Sequence, residues 1–405
     1  MHLLATERDQ FESALHKLFG PRLCPVEDAY HLIRRYKDGS FAMGHLGLML
    51  YTNGYNLRAF SSRYPNGLVY HDGEHLFGVG YFSKEGCLAK HLHIVAPKGA
   101  RRVAAVTEFI AAVRDAGLSH TSVYVRHLPA GDRDAFLAAG FDPIDSDPWH
   151  HTAPEEDETF PNRVFDLDEL LEEGGDGRLL VRNLDGSERH AHKAKNRLAY
   201  RRFENFLTRN PQLCFRLRPY GYSDAEQEQA RQIVVAYFQA RRARGPVVGS
   251  TPEDYLALIR QRPGGTNGED YFAYLGTFAS SDGDEVPVLF FAGERVSAHR
   301  AALYCTITMR FPERLDGLLK DPIGFTAIPQ YAWLSVFKLL RRNGISEVDA
   351  GGSEVKGLDD QKRQLGGRAE KTYWAVRGAG VGARGAAIAN QAQGLSVDRP
   401  DKVGG

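Results

Sequence analysis

Apolar residues recur at helical spacing near the start of the chain. Phe11, Ala14, Leu15 and Leu18 fall three and four apart, which predicts a short amphipathic helix. Further on the pattern turns β-rich. Residues 76–82 and 87–97 read as two strands joined by a polar turn at 83–86, and a long helix is predicted over 102–116. The second half repeats the order. Residues 286–292 and 295–307 read as strands around a tight turn at Gly293 and Glu294, with a helix to follow over 325–342.

The halves match again beyond those helices. The block FIAAVRDAG-LSHTSVYVRHLPAGDRDAFLAAG-FDPI starts at Phe109, and SVFKLLRRNG-ISEVDAGGSEVKGLDDQKRQLGG-RAEKTYWAV starts at Ser335. Each reads as helix, glycine stop, strand, loop, short helix, second glycine stop and final strand. Gly117 and Gly140 stand 23 residues apart, Gly344 and Gly366 22 apart. Glycine just past a helix supplies the left-handed cap that turns the chain back into a strand. A boundary is predicted in the acidic, Pro/Gly-punctuated stretch 153–177, giving units over 1–165 and 178–377. The Gly- and Ala-rich residues 378–405 read as a flexible tail.

Hairpin, strand, helix, strand, helix, strand is the order of the GNAT acyltransferase core. The fold class expected is therefore α/β (α+β), with two tandem GNAT-like units, each a mixed sheet with flanking helices. The second unit also carries motifs: Val348-Asp349-Ala350-Gly351-Gly352-Ser353-Glu354, then Gln361-Lys362-Arg363-Gln364-Leu365-Gly366. It resembles the C-terminal part of FemAB-like aminoacyltransferases and the related phosphatidylglycerol lysyltransferase domain. In that family a strand ending Asp-(Leu/Phe)-Gly-Gly precedes a helix with Phe-Lys-x-x-(Phe/Leu)-Gly. The chain departs from the pattern at Ala350 and Gln361. The resemblance spans 286–376, while the first half is similar by order of elements alone. It implies an acyltransferase that takes an aminoacyl group from aminoacyl-tRNA and forms an amide on an amine of a small molecule or peptide, with no other cofactor. It also implies that Lys362 neutralises a phosphate of the donor.

Position adds to this. Asp349 and Glu354 fall at a strand's C-terminal end and in the loop after it, where α/β proteins place ligands. They are the expected catalytic residues together with Lys362, taken as an exposed lysine. Gly351, Gly352 and Ser353 form a loop whose backbone can approach an acyl donor closely. The same residues also read as a turn cap (Asp349), a helix cap (Ser353 or Glu354) and a solvated lysine. In the first half Lys98, Gly99, Arg101 and Arg102 stand at a helix start, which suits a pyrophosphate and offers acyl-CoA as the alternative donor. The equivalent second-half turn, 320–325, is much less basic.

Charge changes the picture locally. Lys plus Arg equals Asp plus Glu at 51 each, so no global field draws nucleic acid to the chain. Yet residues 155–176 hold ten acids and one base, Arg163, while 189–218 hold nine bases and one acid, Glu204. Arg189, Lys193, Arg197 and Arg201 recur every fourth residue, one stripe of a helix, with Ala199, Phe203, Phe206 and Leu207 as its packing face. Lys193, Arg197, Arg201 and Arg202 are the expected RNA contacts, each releasing counterions. An anionic lipid headgroup or plain solvation suits the stripe as well, and Arg241, Arg242 and Arg244 make a second cluster. A non-catalytic GNAT-like module that binds RNA or another anion is the reading from a different class.

Other signals exclude more than they suggest. Cys24, Cys87, Cys214 and Cys305 lie far apart, which argues against a disulfide framework or a zinc site. His91 and His93 share a strand face, and His71 and His75 flank a turn, but no metal is expected. Gly380 to Gly385 fits GxGxxG without room for a βαβ unit behind it, and residues 245–251 lack a P-loop lysine. With no signal peptide and no integral membrane segment legible, a cytoplasmic protein is expected.

Overall fold

The computed structural model describes residues 5–36, 38–52, 67–83, 90–118, 122–143, 161–182, 196–242, 252–260, 270–280, 285–309, 328–353 and 356–378. The chain opens with α1 (Ala5–Phe19), β1 (Leu23–Pro25), α2 (Tyr30–Tyr36), α3 (His45–Thr52), β2 (Leu68–His71), β3 (Leu76–Ser83), β4 (Lys90–Lys98), α4 (Arg102–Asp115), β5 (Ser122–Leu128) and α5 (Ala130–Ala138). It continues through β6 (Asn162–Asp166), α6 (Leu167–Leu170), β7 (Leu171–Glu173), β8 (Leu179–Val181), α7 (Asn196–Arg209), β9 (Leu213–Pro219), α8 (Asp224–Arg242) and α9 (Pro252–Arg260). The last elements are β10 (Tyr271–Ser280), β11 (Glu285–Arg295), β12 (Arg300–Thr308), α10 (Ile328–Arg342), β13 (Glu347–Asp349), α11 (Lys356–Gln364), β14 (Arg368–Glu370) and β15 (Tyr373–Gly378).

Two mixed sheets organise these elements, one ordered β1-β2-β3-β4-β5-β15 and the other β14-β6-β13-β12-β11-β10-β9. Neighbours are antiparallel except β4 with β5 and β12 with β13. The sheets correspond strand by strand, with β1 to β5 matching β9 to β13. As the repeat predicts, Gly117, Gly140, Gly344 and Gly366 follow corresponding helices with φ of 73°, 84°, 83° and 103°.

The final strands break the symmetry of the sequence. In the first sheet the place beside β5 is taken by β15, from the end of the chain, and in the second β6 lies beside β13. The expected boundaries at 165 and 178 therefore do not separate the sheets: β6, assigned to the first unit, belongs to the second sheet. The single strand expected over 368–376 is two strands in different sheets. The side chains decide this. Phe165 of β6 packs on Trp333 and Phe337 of α10, while Trp374 of β15 packs edge-on against Tyr124 of β5. Of the strand expected after Gly140, the described residues show a bridge between Asp142 and Val376.

Three large apolar cores layer the described residues. α1 and α4 cover one face of the first sheet through Phe11, Leu15, Phe109 and Val113, with Leu18 left outside at 38% exposed. α7 and α10 cover one face of the second sheet through Phe203, Phe206, Trp333 and Phe337. The third core joins the inner faces of both sheets around α3, with α8 and α9. All eight residues of α3 are buried, as an all-round apolar helix requires.

The turn expected at Gly293 and Glu294 lies further along, at 296–299, and both residues are inside β11. Glu294 points inward, and its carboxylate accepts from the amides of His45 and Leu46 at 3.0 and 2.9 Å. It thus caps the start of α3 across the two sheets. Gly293 is glycine because a side chain there would meet Ala302 O at 2.4 Å.

Candidate active site

β13 ends at Asp349, and the chain turns through Ala350, Gly351 and Gly352 to Ser353. Asp349 is fully buried, and its Oδ1 accepts from the Gly351 amide at 2.9 Å, so it caps this turn. Arg300 donates to Oδ2 at 2.6 Å, and Asn162 Nδ2 lies 3.4 Å from the same oxygen. Burial pushes the carboxyl above its ordinary range, against the pull of Arg300. The turn is glycine-dependent at Gly351, where φ is 65° and a side chain would stand 2.9 Å from the ring of Phe41.

Lys362 approaches from α11. Its Nζ donates to the carbonyls of Ala350, Gly351 and Gly352 at 2.7, 3.0 and 2.7 Å, and the residue is 3% exposed. An ammonium has three donors, and three carbonyls engage it. The expectation of an exposed lysine facing a donor phosphate is therefore corrected: Lys362 clamps the turn from within. Asp349, Lys362, Gly351, Gly352 and Ser353 do come together as expected, with the first two holding the loop rather than lining an opening. Glu354 lies outside the described residues.

The surroundings are ionic. Arg163 grips Asp359 at 2.7 and 3.0 Å, fixing α11 to β6, and Arg300 also reaches Glu370 of β14 at 2.8 Å. Among the described residues three cations and three carboxylates (Arg163, Arg300, Lys362, Asp349, Asp359, Glu370) thus surround one turn. Sequence reading missed Asn162, Arg163, Arg300, Asp359 and Glu370, although Arg163 stood out as the single base in its acidic stretch. Asn162 and Arg300 come from distant segments, while Asp359 and Glu370 lie just beyond the turn and read as ordinary surface acids.

The first-half turn is differently disposed. Lys98 pairs with Asp38, whose carboxyl burial would raise but Lys98 holds below the usual range. Arg102 grips Asp132, donating from Nε at 2.8 Å, and reaches back to Gly99 O at 3.0 Å. A side chain at Gly99, φ 113°, would meet His75 Cδ2 at 2.5 Å, so this glycine serves packing against the turn before β3. Of the three cations expected to cradle pyrophosphate, Lys98 is paired with the exposed Asp38, Arg102 with the buried Asp132, and Arg101 is exposed.

β4 and β5 pair from His91 with Ser122 to Val95 with Arg126 and then part. The next residues, Ala96 and His127, both have left-handed backbone, φ 47° and 56°, a conformation non-glycine residues rarely hold. Beside them lie His93, Tyr124, Arg126 and Trp374, all buried, with the guanidinium 4.1 Å from the Trp374 ring centroid. Burial, then the charge of Arg126, keeps His93 and His127 neutral far below the ordinary imidazole range. His91 and His93 share this face as expected, and no group of three metal-binding side chains occurs among the described residues.

In the second sheet the corresponding parting follows Ala302 and Asp349. There Tyr304 donates to Phe41 O at 2.9 Å, so a segment of the N-terminal half rests against it. On α7, Tyr200, Phe203 and Phe206 face inward, and Arg197, Arg201 and Arg202 are exposed. Ala199 and Leu207, expected to pack, are half-buried. Asn196 ties the start of α7 to Leu365 O at 2.8 Å and accepts from Gln330 at 3.0 Å, setting the basic helix beside the end of α11. Lys193 and Arg189 lie outside the described residues.

No protein-family model and no curated protein matches the chain. Solved structures do. L-PGS from Bacillus licheniformis is similar at 14% identity and a TM-score of 0.52, covering 90% of this chain and 96% of that one. FemX is similar at 9% identity and a TM-score of 0.53, covering 87% and 94%. A conserved protein from Bacteroides thetaiotaomicron is similar at 11% identity and a TM-score of 0.53, covering 86% and 97%. At these identities the likeness is one of fold. The chain has the two-sheet fold of L-PGS and FemX over nearly its whole length, as the FemAB-like resemblance implied. Among the described residues no helix is long and apolar enough to cross a membrane.

Proposed function

We propose that the protein is an acyltransferase that moves an aminoacyl group from aminoacyl-tRNA onto an amine of a small molecule or peptide, forming an amide. The observation that carries this reading is the likeness of fold to L-PGS and FemX, which spans 96% and 94% of those chains. Two features of the chain itself agree. Arg201 and Arg202 are exposed on a helix anchored beside α11, where a polyanion can reach them. The cations that a CoA pyrophosphate needs at the start of α4 are largely occupied by Asp38 and Asp132.

In the reaction an amine nitrogen attacks the ester carbonyl. The new C–N bond forms, the C–O bond to the tRNA ribose breaks, and the proton lost by the amine ends on the departing hydroxyl. The protein's part is to fix the ester beside the amine and to supply donors for the developing oxyanion. Asp349 and Lys362 act by holding the 350–353 loop in shape.

Acyl-CoA remains the second reading because of one observation, the left-handed pair Ala96 and His127 where β4 and β5 part. The test is a donor screen. Radiolabelled aminoacyl-tRNAs are incubated with the protein and a panel of amines and short peptides. Label should leave the acid-insoluble tRNA and appear in an alkali-stable amide. Thiol release from acyl-CoA with tRNA untouched would move the activity to the first sheet. RNA binding without transfer from either donor would make the protein a non-catalytic module.

A further inference from the structure

Three buried polar atoms around Asp349 have no hydrogen-bond partner among the described residues: Ser353 Oγ, Asn162 Oδ1 and Arg300 Nε. Native structures rarely leave such atoms unsatisfied, and each one requires an explanation. These are not scattered. Arg300 and Asn162 bind the same oxygen of Asp349, and Ser353 ends the loop whose Gly351 amide binds the other. Ser353 and Asn162 are 2% and 4% exposed. Two of the three atoms offer a hydrogen, from a hydroxyl and a guanidinium N–H, and one is a pure acceptor, the amide oxygen. Among the described residues the ionic groups around them balance, three against three. A group bearing a net charge would therefore be left unpaired there, whereas a dipolar one would not.

We infer that Ser353, Arg300 and Asn162 line the reacting centre. Ser353 Oγ–H and Arg300 Nε–H donate to the ester oxygen as it becomes an oxyanion, and Asn162 Oδ1 accepts an N–H of the attacking amine. This rests on the acyl-transfer reading and assigns its chemistry to side chains. Amine attack on an ester creates negative charge on oxygen and positive charge on nitrogen together, so the intermediate is dipolar with no net charge. Two donors and one acceptor inside a balanced ionic shell match that distribution. The proton leaves the nitrogen for the ribose oxygen as the C–O bond breaks. Asp349 holds both partners through one carboxylate and is a positioning residue.

The decisive variant is Ser353→Ala. A buried hydroxyl without a partner weakens the fold, so its removal should leave the melting temperature unchanged or raise it. If the hydroxyl holds the oxyanion, kcat for transfer from aminoacyl-tRNA should fall at least ~10²-fold, with KM for the donor unchanged. Ser353→Thr, which keeps the hydroxyl, should recover part of it. Asn162→Ala, assayed the same way, should lower kcat too, and with Ser353→Thr it decides the matter if Ser353→Ala fails to fold. Transfer by Ser353→Ala within threefold of wild type would overturn the assignment and leave aminoacyl transfer standing. Absence of transfer by the wild type from every aminoacyl-tRNA would overturn both.

Discussion

Lys362 illustrates how a residue type can be read correctly and its role misjudged. Sequence pattern places a lysine one helix beyond a Gly-Gly loop, and a phosphate contact follows by analogy. Its three hydrogens instead hold three successive carbonyls of that loop. Lys362→Ala should therefore lower stability by about 3 kcal/mol, since buried acceptors lose their partner. Urea denaturation measures it, and a change within ~0.5 kcal/mol, as for an exposed lysine, would return Lys362 to the surface role. Asp349 was legible in both its readings, and the turn-capping one describes its contacts. Asn162 and Arg300 were not legible, because nothing local to either residue signals that both will meet one carboxylate 187 and 49 positions away.

At the scale of elements the sequence was most informative where the signal is local. Helix starts, glycine stops and the amphipathic α7 follow from spacing alone, since period and cap chemistry act within a few residues. The turn after β11 was misplaced because Gly293 and Glu294 look like a hairpin tip. Their reasons, close packing on Ala302 and a carboxylate capping α3, are tertiary. α7 carries its own prediction. Arg201→Glu with Arg202→Glu should weaken tRNA binding and reduce the slope of log affinity against log salt by about two. These side chains are exposed, so the melting temperature should hold. An unchanged slope in a filter-binding salt series would reassign the helix face to solvation.

Across the whole molecule the repeat predicts two like units, and two like sheets are present, yet the first is not continuous in the chain: β15 joins it from beyond the whole of the second sheet. The move of β15 into the first sheet could not be read from the repeat, because a final strand is equally compatible with its own half and with the other. A chain ending after Lys371 should show what β15 contributes. It loses Trp374 from the first sheet's inner face, a residue class whose truncation costs about 3–5 kcal/mol, and bares the edge of β5. Such a chain should melt well below the full-length protein and aggregate; equal melting temperatures would mean the exchanged strand is dispensable. The exchange also bears on synthesis. β5 leaves the ribosome early, but the strand that covers it arrives more than half the chain later. At typical translation rates that interval is roughly ten to fifty seconds. Throughout it the nascent chain presents an open β-edge of the kind that recruits chaperones or other chains, so the N-terminal sheet must wait, guarded, for β15 to be made.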